Sequence, residues 1–191
     1  KPLIEQVTNY VTINDCANVT LAIGASPVMG DGFEEVDQMT RISDALVLNY
    51  GIINGASLKI MIKAGKTAND HNIGIVLDPV GATQFRNEAI VDLLAEVQPT
   101  IIKGNASEIM SLSGMDTKSK GVDSSADSLE AIDAALKVAR DHRCVCAVTG
   151  RIDIITDGRN LVKIYNKSDL LSYITGTGCM ITSLAASFLG G

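Results

Sequence analysis

An α/β fold on a mainly parallel sheet is what this sequence predicts, and two observations carry that expectation. Short apolar runs of strand type alternate with amphipathic runs of helical spacing through most of the chain, the pattern of strands joined by covering helices. The length of 191 residues and a hydrophobic share of 46% suffice for one substantial core, so a single domain over 1–191 is expected.

Strands are predicted over 44–49, 74–77, 100–102 and 145–149. The first two are continuous apolar runs, Ala45-Leu46-Val47-Leu48 and Ile75-Val76-Leu77, which suit strands buried on both faces. Helical spacing marks 56–71, 87–97 and 128–142. The segment 152–165 reads as a hairpin, because Asp157-Gly158 supplies the turn that two flanking strands need. The stretch 113–127 holds too few apolar residues to pack and enough Gly and Ser to move, so a mobile loop or lid is expected there.

Charge and cysteine use narrow the function classes. With 16 Lys and Arg against 22 Asp and Glu, the net charge is −6 and no basic stripe is present, which argues against a nucleic-acid partner. The apolar stretches 45–49, 73–77 and 180–189 are too short to span a bilayer, so no membrane association is expected. Cys16, Cys144, Cys146 and Cys179 show no zinc-type spacing and read as free thiols in a reducing cytoplasm. Cys144 and Cys146 alternate along a strand and are expected to pack on one face. His71 and His142 each end a predicted helix, where a cationic side chain suits the dipole.

Three segments can carry chemistry. Leu77-Asp78-Pro79-Val80-Gly81 is a buried strand ending in a carboxylate and a rigid turn, the position where open α/β sheets bind ligands. The same Asp-Pro also serves as a plain turn former. Ile174-Thr175-Gly176-Thr177-Gly178-Cys179 precedes the apolar, small-residue helix 180–189. Its glycines let the backbone approach a ligand, and the helix start offers unpaired N–H groups and a positive dipole end, although a GTG triplet is also an ordinary tight connection. Lys103-Gly104-Asn105-Ala106-Ser107-Glu108 follows a predicted strand. Asn105 with Glu108 fits a capping box, and the same geometry would hold Glu108 near a metal.

With those segments stands an ordered set: Val7-Thr8-Asn9-Tyr10-Val11-Thr12, Asn14 through Ala22, Gly24-Ala25-Ser26-Pro27-Val28-Met29, Asp78-Pro79-Val80-Gly81, Gly104-Asn105 with Glu108, Val148-Thr149-Gly150 and Gly176-Thr177-Gly178-Cys179. Over nearly its whole length the chain thereby resembles the hydroxyethylthiazole kinase family. The resemblance implies a ribokinase-like three-layer sandwich with a mainly parallel central sheet flanked by helices. It also implies transfer of the ATP γ-phosphate to the alcohol of 4-methyl-5-(2-hydroxyethyl)thiazole in thiamine biosynthesis or salvage. A cytoplasmic homotrimer with active sites at subunit interfaces goes with it.

By motif position, the resemblance places Met29, Gly176 and Asn9 on the thiazole, Lys103 and Thr149 on ATP, and Asp78 and Glu108 around Mg²⁺. Lys103 stands where many relatives carry Arg, which keeps the charge and loses the planar fork. Gly176, Thr177 and Gly178 would form the anion hole for the transferring phosphoryl group. Cys179 falls where the wider ribokinase class has an Asp base. Family members begin earlier than Lys1 and continue beyond the GTGC helix, so N-terminal residues and a C-terminal helical portion are expected to be missing from this chain. The rival readings are another ribokinase-like kinase, acting on a hydroxymethylpyrimidine or a sugar, and a catalytically silent nucleotide-binding protein.

Overall fold

The computed structural model describes residues 1–51, 54–81, 84–114, 128–165 and 168–191. The expected loop or lid at 113–127 falls, beyond Gly114, outside the described residues. Eight strands form one sheet: β1 (Leu3–Val7), β2 (Ser26–Met29), β3 (Ala45–Asn49), β4 (Gly74–Asp78), β5 (Ile101–Asn105), β6 (Val145–Thr149), β7 (Asp153–Thr156) and β8 (Leu161–Ile164). Their spatial order is β2-β1-β3-β4-β5-β6-β7-β8. The first six run parallel, and the last two close the sheet antiparallel.

All four strands read from the sequence are present as β3 to β6, and the predicted hairpin is β7–β8. β4 and β5 run further than expected, to Asp78 and Asn105, which brings polar side chains onto the sheet's carboxyl edge. β1 and β2 were not foreseen. β1 hides because Glu5 and Gln6 interrupt its apolar run, yet both are buried. Gln6 is satisfied by two helices: its amide donates to Thr20 Oγ1 at 2.9 Å and its carbonyl accepts from Ser183 Oγ at 2.8 Å. Those contacts supply the hydrogen bonds that a buried amide needs.

Among the described residues, six α-helices connect these strands and a seventh follows β8: α1 (Ile13–Ala22), α2 (Val36–Ile42), α3 (Gly55–Asp70), α4 (Gln84–Glu96), α5 (Ala106–Leu112), α6 (Ile132–Asp141) and α7 (Thr177–Leu189). A capping box starts α3, with Asn54 Oδ1 accepting from Ala56 N and Ser57 N while Ser57 Oγ accepts from Asn54 N. The predicted helix 128–142 divides into a 3-10 turn (Ser128–Ala131) and α6. Helix α7 packs on β1, β3 and β4 and against α1, whereas α3, α5 and α6 cover the other face.

Period-two alternation sorts the central strands between two cores. Leu46, Leu48, Ile75 and Leu77 point into the larger one with α3 to α6, and Ala45, Val47 and Val76 point toward α7. Cys144 and Cys146 share the larger core, as expected of small apolar packers. Burial pushes both thiols up, to about 11 and about 12. All four cysteines are free. His71 and His142 are the C-cap residues of α3 and α6. For His142 the dipole expectation is corrected, because burial lowers its pKa and favours the neutral ring. No described helix is long and apolar enough to cross a membrane.

The order β2-β1-β3 means that the chain turns one way out of β1 and the other way into β3. Such a switch point opens a crevice at the carboxyl ends of the two strands. The positions following β1 and ending β3 are Asn9 and Asn49.

Candidate active site

The crevice is bridged at its floor. Asn9 donates from Nδ2 to Asn49 Oδ1 at 2.9 Å, and Asn49 donates in turn to Asp78 Oδ2 at 3.2 Å. Asp78 Oδ2 also accepts from Lys103 Nζ at 3.2 Å and from Thr182 Oγ1 of α7 at 2.6 Å. Asp78 is 1% exposed and Lys103 4%, so neither charge could remain there without the other. Asp78 Oδ1 accepts no hydrogen bond among the described residues, which leaves half of the carboxylate unused.

Lys103 joins this floor to α7. Its Nζ donates a second bond to Gly178 O at 3.1 Å, so two of its three N–H groups are committed and one is spare. Above it, Gly176 is the N-cap of α7 at φ +80, in the left-handed region that favours glycine. A Cβ there would overlap the Thr12 side chain. Gly176 provides no side-chain cap, and its carbonyl accepts from Met180 N at 3.0 Å. The amides of Thr177, Gly178 and Cys179 therefore stand without acceptors among the described residues, at the positive end of a 13-residue helix. Cys179 Sγ is half-buried and accepts from Asn9 Nδ2 at 3.5 Å. The rest of Asn9 is fixed, because its Oδ1 accepts from Val11 N, Thr12 N and Thr12 Oγ1.

Glu108 lies one strand further along. The capping box is present, with Asn105 Oδ1 accepting from Glu108 N at 2.9 Å and Glu108 Oε2 accepting from Asn105 N at 2.7 Å. Its other oxygen accepts from Gly81 N at 3.1 Å, tying α5 to the turn after β4. Burial raises the Glu108 pKa, the Asp78 charge raises it further, and the two backbone N–H groups and Lys103 oppose that rise. Asp78 and Glu108 thus feel one another's charge, with Lys103 acting on Glu108 in the opposite sense. Two hard-oxygen carboxylates with an unused oxygen suit a divalent cation that keeps part of its water shell. Among the described residues no group of three or more acidic, His or Cys side chains forms an all-protein cage.

The structure brings Asn9, Asp78, Lys103, Gly176, Thr177, Gly178 and Cys179 together, with Glu108 adjoining. Thr149 ends β6 on the same edge, its Oγ1 donating to Gly104 O at 3.3 Å. Met29 ends β2 at the opposite side of the crevice, half-buried and in register with Gln6. A cleft of about 180 Å³ lies beside it, bounded by Val7, Tyr10, Gly30 and the first turn of α3.

Sequence reasoning missed Asn49, Thr182 and Arg86. Arg86 ties two loops together, donating to Val80 O at 2.7 Å and Gly51 O at 3.1 Å. Asn49 carried the same signal as Asp78, a polar residue ending an apolar strand. Thr182 carried none, since its contact spans 104 positions. Tyr50 follows Asn49, but burial pushes its phenol up to about 12 and keeps it from serving as a base.

Known proteins match both the sequence and the fold. The profile of the hydroxyethylthiazole kinase family matches residues 1–191. A hydroxyethylthiazole kinase of Clostridium beijerinckii is 47% identical, over 100% of this chain and 71% of the relative. The solved hydroxyethylthiazole kinase protein of Pyrococcus horikoshii OT3 superposes with a TM-score of 0.89 at 38% identity, covering 99% of this chain and 71% of that one. A ribokinase-like superfamily protein of Enterococcus faecalis V583 shares the fold alone, at a TM-score of 0.68 and 10% identity over 98% of this chain and 70% of that one. Matched along its whole length, the chain belongs to the hydroxyethylthiazole kinase family and is an enzyme of ribokinase-like fold.

Proposed function

We propose that this protein transfers the γ-phosphate of ATP to the alcohol of 4-methyl-5-(2-hydroxyethyl)thiazole. The observation that carries the reading is the uncapped start of α7, held by Lys103 directly over a buried carboxylate. Phosphoryl transfer through a loose transition state asks for little covalent work and for donors around three equatorial oxygens. The amides of Thr177, Gly178 and Cys179 supply such donors without reorganising, and the spare Lys103 N–H adds a charged one. Asp78 and Glu108 are the residues that would hold Mg²⁺, which when bound neutralises the charge on the β- and γ-phosphates. Thr149 flanks the nucleotide side of this edge.

Asn9, Met29 and Gly176 form the acceptor side. In its thiolate form Cys179 takes the alcohol proton and becomes the thiol, with its Sγ oriented by the Asn9 amide, and contributes modestly because the proton leaves late in a loose transition state. The enzyme is a trimer in which a neighbouring copy covers the thiazole, a reading supported, as to a covered surface, by Tyr10 and Val11, 68% and 69% exposed beside Asn9. The test is ADP release with Mg·ATP and hydroxyethylthiazole, hydroxymethylpyrimidine, pyridoxal or ribose offered in parallel. Turnover confined to hydroxyethylthiazole is the expected result. Preference for another alcohol, or ATP binding with no turnover of any, would overturn the reading.

A further inference from the structure

At the amino ends of the strands, opposite the active site, lies a cleft of about 690 Å³. Its walls come from the end of α6, the start of β6 and the β7–β8 turn, and they include Arg140, Arg143 and Arg159. Neither the Arg143 nor the Arg159 guanidinium makes a hydrogen bond or ion pair among the described residues. Arg140 commits only Nε, to Gly158 O at 2.6 Å. Asp157, the acid in the cleft, forms no ion pair with them among the described residues. Asp157 Oδ1 accepts from Arg159 N and Asn160 N and Oδ2 from Asn160 Nδ2, bonds that hold its pKa down at about 2.

Compensation of the α6 dipole does not account for the cluster. The carbonyls of Val138, Ala139 and Arg140 accept from His142 N, Cys144 N and Arg143 N, and His142 O accepts from the Gln98 amide. The helix end is therefore closed by its own chain, and Arg159 comes from a different element. Arg143 also sits at φ +49, where helix ends favour glycine. At the equivalent place after α3 the chain has Asn72 at φ +56, a residue that tolerates this conformation better. An exposed arginine held in a disfavoured backbone state, lining one cleft with two other exposed arginines that have no ion-pair partner among the described residues, in a chain of net charge −6, is a local exception that structural needs leave unexplained.

We infer that this cleft binds a small organic phosphate: the three guanidinium groups take the phosphate oxygens, and the floor of Ala139, Cys144 and Val145 takes the apolar body. The site is separate from the phosphoryl-transfer site, because Val145 and Thr149 lie at opposite ends of β6.

Phenyl phosphate is titrated into the ¹⁵N-labelled full chain at constant ionic strength, and amide shifts of Arg143, Cys144, Gly158 and Arg159 are followed. Saturable shifts there are expected, and chloride should not reproduce them. The double variant Arg143→Gly/Arg159→Ala should bind at least about tenfold more weakly, since it loses two charge-assisted contacts. Glycine relieves the φ strain at 143, so a folding defect is not expected, and a melting curve checks this. Shifts confined to the first turn of α7, shifts equal to those from chloride, or unchanged affinity in the folded double variant would each overturn the inference.

Discussion

Replacing Glu5 with Gln should remove a pH-dependent weakness built into β1. The Glu5 side chain is 0% exposed, and its one partner is Thr40 Oγ1, which donates to Oε2 at 2.6 Å. Oε1 has no partner among the described residues and is pressed against Gly30, where a Cβ would stand 2.7 Å away. Burial raises the carboxyl from 4.5 to about 7, and the Thr40 bond only partly opposes it. The folded state thus holds a proton that the unfolded chain releases near pH 4.5, so stability falls as pH rises between those values and levels off above about 7. Each pH unit in that window is worth about 1.4 kcal/mol, so the loss is roughly 3 kcal/mol. Gln cannot ionise. Urea unfolding of both proteins at pH 5 and pH 8 gives the test, because other titrations cancel in the difference. The variant should gain on the wild type by roughly 3 kcal/mol between the two pH values. A wild-type minus variant difference that does not change with pH would refute a buried, protonated Glu5.

Substitutions at three further positions probe the site. Asp78→Asn leaves Lys103 buried beside a neutral partner and should cost roughly 3 kcal/mol of stability. It should also raise the Mg·ATP requirement more than the thiazole Kd, so equal effects on both ligands would assign Asp78 to the turn alone. Lys103→Ala should raise the KM for ATP, whereas Lys103→Arg, which can still reach Asp78 and Gly178 O, should be tolerated. An unchanged KM in the alanine variant would remove Lys103 from the phosphates. Gly176→Ala combines a φ of +80 with overlap of Thr12, and should lower stability by about 2 kcal/mol or more in thermal unfolding. A smaller change would mean that the start of α7 yields easily.

The parts of the fold legible in the sequence were those decided locally. Ala45–Asn49 and Gly74–Asp78 announce buried strands by continuous apolar runs, Asp157-Gly158 announces a turn, and Asn105 with Glu108 announces a helix start. β1 was illegible because its buried Gln6 is satisfied only by Thr20 and Ser183, from helices at opposite ends of the chain. In α2 only Val36 and Thr40 are buried over seven residues, too short a stripe to register as helical periodicity. The site divides in the same way. Asp78 and the Gly176–Cys179 segment stood out because strand ends and helix starts are where ligands bind. The burial of Lys103 did not, because a lysine ending a strand reads as solvated until β4 and α7 supply Asp78 and Gly178 O around it.

In the proposed reaction the first-turn amides of α7, more than the thiol, carry phosphoryl transfer. A Cβ on Gly178 would stand 3.3 Å from Lys103 Nζ, so the branched side chain of Gly178→Val crowds both the amide cradle and its lysine without requiring a forbidden φ. Losing one preorganised donor costs about 10²–10³ in rate, whereas an imperfectly matched base supplies roughly 10²-fold or less. The direct measurement is kcat for hydroxyethylthiazole phosphorylation by Gly178→Val and Cys179→Ala, each shown folded by circular dichroism and melting temperature. The larger loss is expected in Gly178→Val; a folded but inactive Cys179→Ala beside an active Gly178→Val would contradict these roles and make the cysteine the centre of the reaction.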